Sequence, residues 1–238
     1  MSAPFSAGLA AATLLPLGGH EMHDHLPVPG LAGGVLHEVM PEAYGDRPAA
    51  LGFLFVLMSE AQARPGPAVI VVSRRALTDF ESLYGHGLGQ LGLKPSNLIQ
   101  IQTRADKDAL WAIEETLRSD ACPAMVAGAL AGPLDFTMTR RLNLAAAAHA
   151  TPLVLLRPAK AAGTSAAATR WRIATAPAAR DRFGALGQRR WQATLERCRN
   201  GRPGHWLIEW DHVAHRFRMV ESMADRAPAV HAGLRRAS

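Results

Sequence analysis

The 238-residue sequence predicts an α/β fold: a mostly parallel sheet flanked by helices, with an antiparallel extension at the C-terminal end. Three observations carry this. Short apolar runs and amphipathic helical patterns alternate between Val35 and Leu156, the order that builds a parallel sheet. The run Val69-Ile-Val-Val72 is β-branched without polar alternation, as a strand covered on both faces requires. Beyond Arg189 the apolar residues recur every second position between turn signals, the pattern of antiparallel strands.

In chain order, Val35–Val39 reads as the first strand. The periodicity of Leu51, Leu54, Phe55 and Met58 places a helix over Ala49–Arg64, stopped by Pro65-Gly66-Pro67. Ala68–Ser73 is the second strand. Thr78 and Glu81 have the spacing of a capping box for a helix over Asp79–Leu91, which Gly92 ends. Leu98–Gln102 is a strand, and Asp106–Arg118 a helix turning Leu110, Ile113 and Leu117 inward. Ala124–Ala129 is a strand, Thr137–Ala148 a helix with Asp135 as its cap, and Pro152–Leu156 a fifth strand.

The stretch 158–169 holds little that could pack and reads as a flexible loop. Trp171–Ala176 is a strand, and residues 189–220 form antiparallel strands joined at Asn200-Gly201 and at 211–215. Asn-Gly tolerates the positive φ of a tight hairpin. Residues 1–29 are expected as a partly flexible segment, 30–226 as one domain and 227–238 as a disordered tail.

Composition narrows the class. Hydrophobic residues make up 48% of the chain, enough for a full core. The apolar run from Ala7 to Leu17 is too short to span a bilayer. Two cysteines, Cys122 and Cys198, do not make a disulfide framework, which points to a reducing cytoplasm and to buried thiols. His20, His23 and His25 lack the spacing of a zinc helix, so no metal is expected. Gln90-Leu-Gly-Leu93 bears only a superficial likeness to a sliding-clamp peptide.

Charge is unevenly spread. Residues 1–150 carry ten Lys and Arg against fourteen Asp and Glu, whereas residues 151–238 carry sixteen against six. Arginine makes planar, multidentate contacts with phosphate and carboxylate, so this region is the candidate surface for an acidic partner or DNA. Its named candidates are Lys160, Arg170, Arg172, Arg189, Arg190, Arg197, Arg199 and Arg202. The neighbouring Trp171, Trp191, Trp206 and Trp210 are read as packing residues.

The turn after the first strand stands where a phosphate loop belongs, and its chemistry is wrong. A phosphate loop needs glycines, a lysine and a hydroxyl before the helix. Here Pro41, Glu42, Gly45, Asp46 and Arg47 occupy the place, and the first lysine in the chain is Lys94. Ala127 and Gly128 stand where a magnesium aspartate would end its strand, and Val69–Ser73 runs into Arg74-Arg75 rather than a carboxylate. No nucleophile and base pairing is recognisable. No cofactor and no catalysis is expected.

The order of segments resembles a recombinase core of the RecA type. The lead Gly30-Leu-Ala-Gly-Gly-Val-Leu-His-Glu-Val39 is similar to the strand before a phosphate loop, and residues 84–102 and 108–118 to the elements that follow. More closely, the chain resembles the ImuA family of damage-inducible mutagenesis proteins, relatives of the SulA cell-division inhibitors. Leu36-His-Glu-Val39, residues 138–146, Pro152-Leu-Val-Leu-Leu-Arg157, Thr169-Arg-Trp-Arg172, Trp206-Leu-Ile-Glu-Trp-Asp211 and Phe217-Arg-Met-Val220 carry the likeness.

That resemblance implies a noncatalytic part in SOS-induced, error-prone translesion DNA synthesis. The implied partners are an ImuB-like inactive polymerase homologue and an error-prone C-family DNA polymerase. The alternatives are a SulA-like inhibitor and an ATPase with an atypical site that uses Arg47. In RecA-type cores a loop after the fifth strand touches single-stranded DNA; the matching stretch here has only Lys160, so weak contact is implied.

Overall fold

The computed structural model describes residues 14–15 and 31–222, except 77–82, 162, 179, 181–182, 184 and 200–201. Its strands are β1 (Leu36–Pro41), β2 (Ala68–Ser73), β3 (Leu98–Thr103), β4 (Met125–Ala129), β5 (Leu153–Leu156), β6 (Thr169–Ala176), β7 (Arg190–Cys198), β8 (Gly204–Asp211) and β9 (Arg216–Ser222). The helices are α1 (Arg47–Ala61), α2 (Gly85–Gln90), α3 (Asp106–Arg118) and α4 (Phe136–Ala148). The nine strands form one sheet in the order β3-β2-β4-β5-β1-β6-β7-β8-β9. Pairing is parallel from β3 through β6 and antiparallel from β6 to β9. A separate two-residue ladder joins Leu14–Leu15 to Leu31–Ala32.

The expected α/β architecture with its antiparallel C-terminal extension is therefore present. β1, β2 and β4 are buried at every position, because helices cover both faces of the sheet. On one face α1 shares a cluster with Val39, Ile70, Met125, Trp171 and Trp210. On the other, Ala109, Ile113 and Leu117 of α3 and Leu142 and Ala146 of α4 pack against Val69, Val126 and Leu155. Residues 53–58 of α1 are all buried, so this helix is a core element without a solvent stripe.

Several expectations need correction. Of the helix expected over Asp79–Leu91, the described residues 83–91 are helical at Gly85–Gln90, and Tyr84 before it is extended. Glycine at 85, 87 and 89 makes that segment a poor helix former. Thr78 and Glu81, the Asn200-Gly201 pair, His20, His23, His25, the run 7–13 and the tail 227–238 lie outside the described residues. Cys122 is exposed, and Cys198 is only partly buried; Cys122 stands at φ 41 in the turn after α3.

The stretch 158–169 packs instead of standing free. Ser165, Ala166 and Ala167 are buried, and the Ala166 N–H donates to Thr139 Oγ1 at 3.1 Å. Composition missed this because the carbonyls of the loop find arginine donors, described below. The four tryptophans pack as read: Trp171, Trp191, Trp206 and Trp210 are each at most 4% exposed. Phe217 meets Trp191 and Trp210 edge-on, with ring centroids at 5.8 and 5.6 Å. Asp135 caps α4, accepting from the Met138 N–H at 2.7 Å.

Candidate functional site

In an open parallel sheet, ligands bind outside the carboxyl ends of the strands, where consecutive connections leave in opposite directions. Here that place is the C-terminal end of β1, whose neighbours are β5 and β6. The chain leaves β1 through Glu42 and Ala43, makes one tight turn over Tyr44–Asp46 and enters α1 at Arg47. Pro48 fits the first turn of α1, where a missing N–H costs nothing.

Asp46 organises this turn. Its carboxylate accepts from the Ala43 N–H at 3.1 Å and, across the sheet, from the Thr175 N–H of β6 at 2.8 Å. A second carboxylate does the same after β4: Asp106 accepts from the N–H groups of Ala131 and Gly132. Backbone N–H groups at such edges are what a phosphate needs. Both pairs are already taken by the protein's own acids.

The rest of a nucleotide site is absent from these positions. Arg47 stacks over the Tyr44 ring, 5.4 Å from its centroid, and donates to the Ala76 carbonyl. It thus points to β2 and the ring rather than following a phosphate chain. The end of β4 presents Ala129, Leu130 and Ala131, all apolar, and β2 ends in the buried Ser73. Adding a Cβ at Gly128 would bring it within 2.7 Å of Ile113 and Leu155, so no carboxylate fits there. Among the described residues no group of three or more His, Cys, Asp or Glu is placed to hold a metal ion. Magnesium triphosphate does not fit these residues.

Beneath the turn lies a charged triad. Glu38 of β1 is 1% exposed; its carboxylate meets Arg157 at 3.0 Å and Arg170, its register partner on β6, at 2.8 Å. Two guanidinium groups face one carboxylate in a dry setting. Burial, together with the neighbouring Arg170 charge, holds the pKa of Arg157 below its usual value. Its Nε has no hydrogen-bond partner. Next to Glu38, His37 is buried between Thr169 Oγ1, 2.7 Å from Nδ1, and the Ala32 carbonyl, 3.0 Å from Nε2. Burial pulls its pKa down to about 4, so the ring is neutral, with Nε2 donating to the carbonyl.

The expected basic surface is divided. Arg170 pairs with Glu38, Arg172 with Glu196 at 2.6 Å and Arg190 with Glu209 at 2.7 Å. Arg197 and Arg199 donate to the carbonyls of Ser165 and Ala166, and Arg172 to that of Ala159. Arg189 donates to Gln90. Lys160 and Arg202 are exposed. Most of these cations hold the loop 158–168 and the antiparallel strands together.

Sequence reasoning gave no role to Glu38, Arg157 and Asp106, and treated Asp46 only as a residue out of place in a phosphate loop. One signal was available: a carboxylate inside an otherwise apolar strand must have a buried cation beside it.

Fold and site define a class: an α/β protein with a strand, tight turn and helix at the carboxyl edge of its parallel sheet, where the chain's own carboxylates hold the backbone N–H groups. No family model matches the chain. Two proteins named Protein ImuA, from two strains of Caulobacter vibrioides, are each 38% identical to it over 227 residues. The match covers 88% of this chain and 90% of theirs. The chain belongs to the ImuA family.

Proposed function

We propose that the protein is a noncatalytic, RecA-like accessory factor of SOS-induced, error-prone translesion DNA synthesis in the cytoplasm. It recruits or regulates a polymerase complex through protein contacts. Its partners in this reading are an ImuB-like inactive polymerase homologue and an error-prone C-family DNA polymerase. Family membership supports the setting.

The absence of catalysis in this reading rests on one observation: Asp46 and Asp106 occupy the N–H pairs that phosphate would need. A core that no longer cradles a nucleotide still offers sheet edges and loops to a partner. DNA contact uses Lys160 and Arg202 with the outer faces of the paired arginines. It is weak and only shallowly salt-dependent, because few of the candidate cations among the described residues are uncommitted.

The test is genetic. Deletion of the gene lowers the frequency of damage-induced mutation to the uninduced level, and the protein co-purifies with the polymerase homologue after DNA damage. Unchanged induced mutagenesis, with filamentous cells on overproduction, contradicts the reading and favours a cell-division inhibitor.

A further inference from the structure

We propose that the cavity at the carboxyl ends of β1, β4 and β5 binds a carboxylate carried on a compact apolar body, with Arg75 and Arg157 as its cationic contacts. The cavity measures about 170 Å³. Pro41, Leu51, Leu130 and Leu156 form apolar wall, and the charged residues lining it are three arginines, Arg47, Arg75 and Arg157, with no acid among them. A carboxylate takes a planar, two-pronged contact from guanidinium groups.

An unmet donor in the lining points the same way. Arg157, 4% exposed, pairs with Glu38 through one terminal nitrogen, and its Nε has no partner. A buried N–H left without an acceptor is costly; a bound carboxylate would offset it. Arg75 is exposed and stands where an entering anion would be met.

Size and walls decide the class of ligand. A cavity of roughly 150 Å³ in an apolar core holds a benzene-sized molecule, so a single ring or branched aliphatic group fits. A polyphosphate would need N–H donors, and the two pairs at this edge already donate to Asp46 and Asp106. The same chemistry is offered by a free small acid and by the carboxyl terminus of a partner chain ending in an apolar residue.

The experiment measures binding of benzoate to the full chain by ligand-observed NMR, with benzamide as the neutral isostere. The tripeptide acetyl-Ala-Ala-Leu, as free acid and as amide, distinguishes the two sources. Benzoate is expected to bind, with benzamide about tenfold weaker, the ratio one charge-assisted contact supplies. Arg75→Gln weakens benzoate by a similar factor, and Ala131→Leu, which fills the lining without touching charge, abolishes it. Circular dichroism checks that both variants are folded. A free-acid peptide that binds more tightly than benzoate assigns the site to a partner's terminus, and the reverse assigns it to a small acid.

Absence of both benzoate and peptide binding up to about 10 mM, the weak limit for ligands this small, overturns the proposal. So does equal binding of benzamide, or parent-like binding by both folded variants. These readings are made on purified protein and leave the polymerase-complex reading, which is tested in cells, to stand or fall separately.

Discussion

Replacing Glu38 with glutamine keeps the shape of the side chain and removes the one negative charge between Arg157 and Arg170. The Arg170 side chain is 20% exposed and can turn to water, whereas that of Arg157 is 3% exposed and cannot. The cost is therefore set by one stranded cation, about 3–5 kcal/mol for breaking a buried pair from one side. Against the 5–15 kcal/mol that stabilises a typical domain, this is a large fraction. At about 2–4 °C per kcal/mol for a chain of this size, the melting temperature falls by roughly 6–20 °C. Urea unfolding followed by tryptophan fluorescence reads the change directly, since four of the five tryptophans are buried. Replacing all three residues together (Glu38→Met, Arg157→Leu, Arg170→Met) should recover most of the loss, because no charge is then stranded. A loss below about 1 kcal/mol for Glu38→Gln, within the range of an exposed pair, refutes the reasoning.

Two further outcomes follow from burial. The Glu60 carboxyl, pushed by burial from 4.5 up to about 8, has no hydrogen-bond partner on either oxygen. The folded state holds its proton where the unfolded chain has released it, so stability falls as pH rises from about 4.5 through about 8. His37, lowered from 6.5 to about 4, acts in the other direction. The unfolded chain binds its proton first, so stability falls as pH drops from about 6.5 to about 4. Between the two groups stability peaks in mildly acid solution, and Glu60→Gln removes the alkaline decline; denaturation midpoints from pH 4 to 9 check both. Gly128→Ala places a Cβ 2.5 Å from Ile113 Cδ1 and 2.7 Å from Leu155 Cδ2; overpacking of this kind costs about 1–3 kcal/mol, read as a lower urea midpoint.

Periodicity and turn chemistry made the fold legible where an element carries its own signal. α3 begins and ends where its pattern predicts, at Asp106 and Arg118, and β2 spans its β-branched run from Ala68 to Ser73. The missing lysine and the acids in the turn after β1 are visible in the letters alone. What those acids bind was not. That Asp46 reaches Thr175 requires β6 to lie beside β1, a pairing between residues far apart in sequence. The loop 158–168 misled for a similar reason. Small residues give no packing signal of their own, and it is Thr139, Arg197 and Arg199, from α4 and from the end of β7 and the residue after it, that fix it. Arginines counted as a free basic surface were committed to internal carboxylates and carbonyls, which no charge count reveals.

The proposed function requires an edge of the sheet closed to nucleotides by the chain's own carboxylates. Isothermal titration of the purified protein with magnesium ATP addresses that point directly. Heat of dilution alone up to millimolar nucleotide is the result predicted. Saturable, magnesium-dependent binding with a micromolar dissociation constant would contradict it.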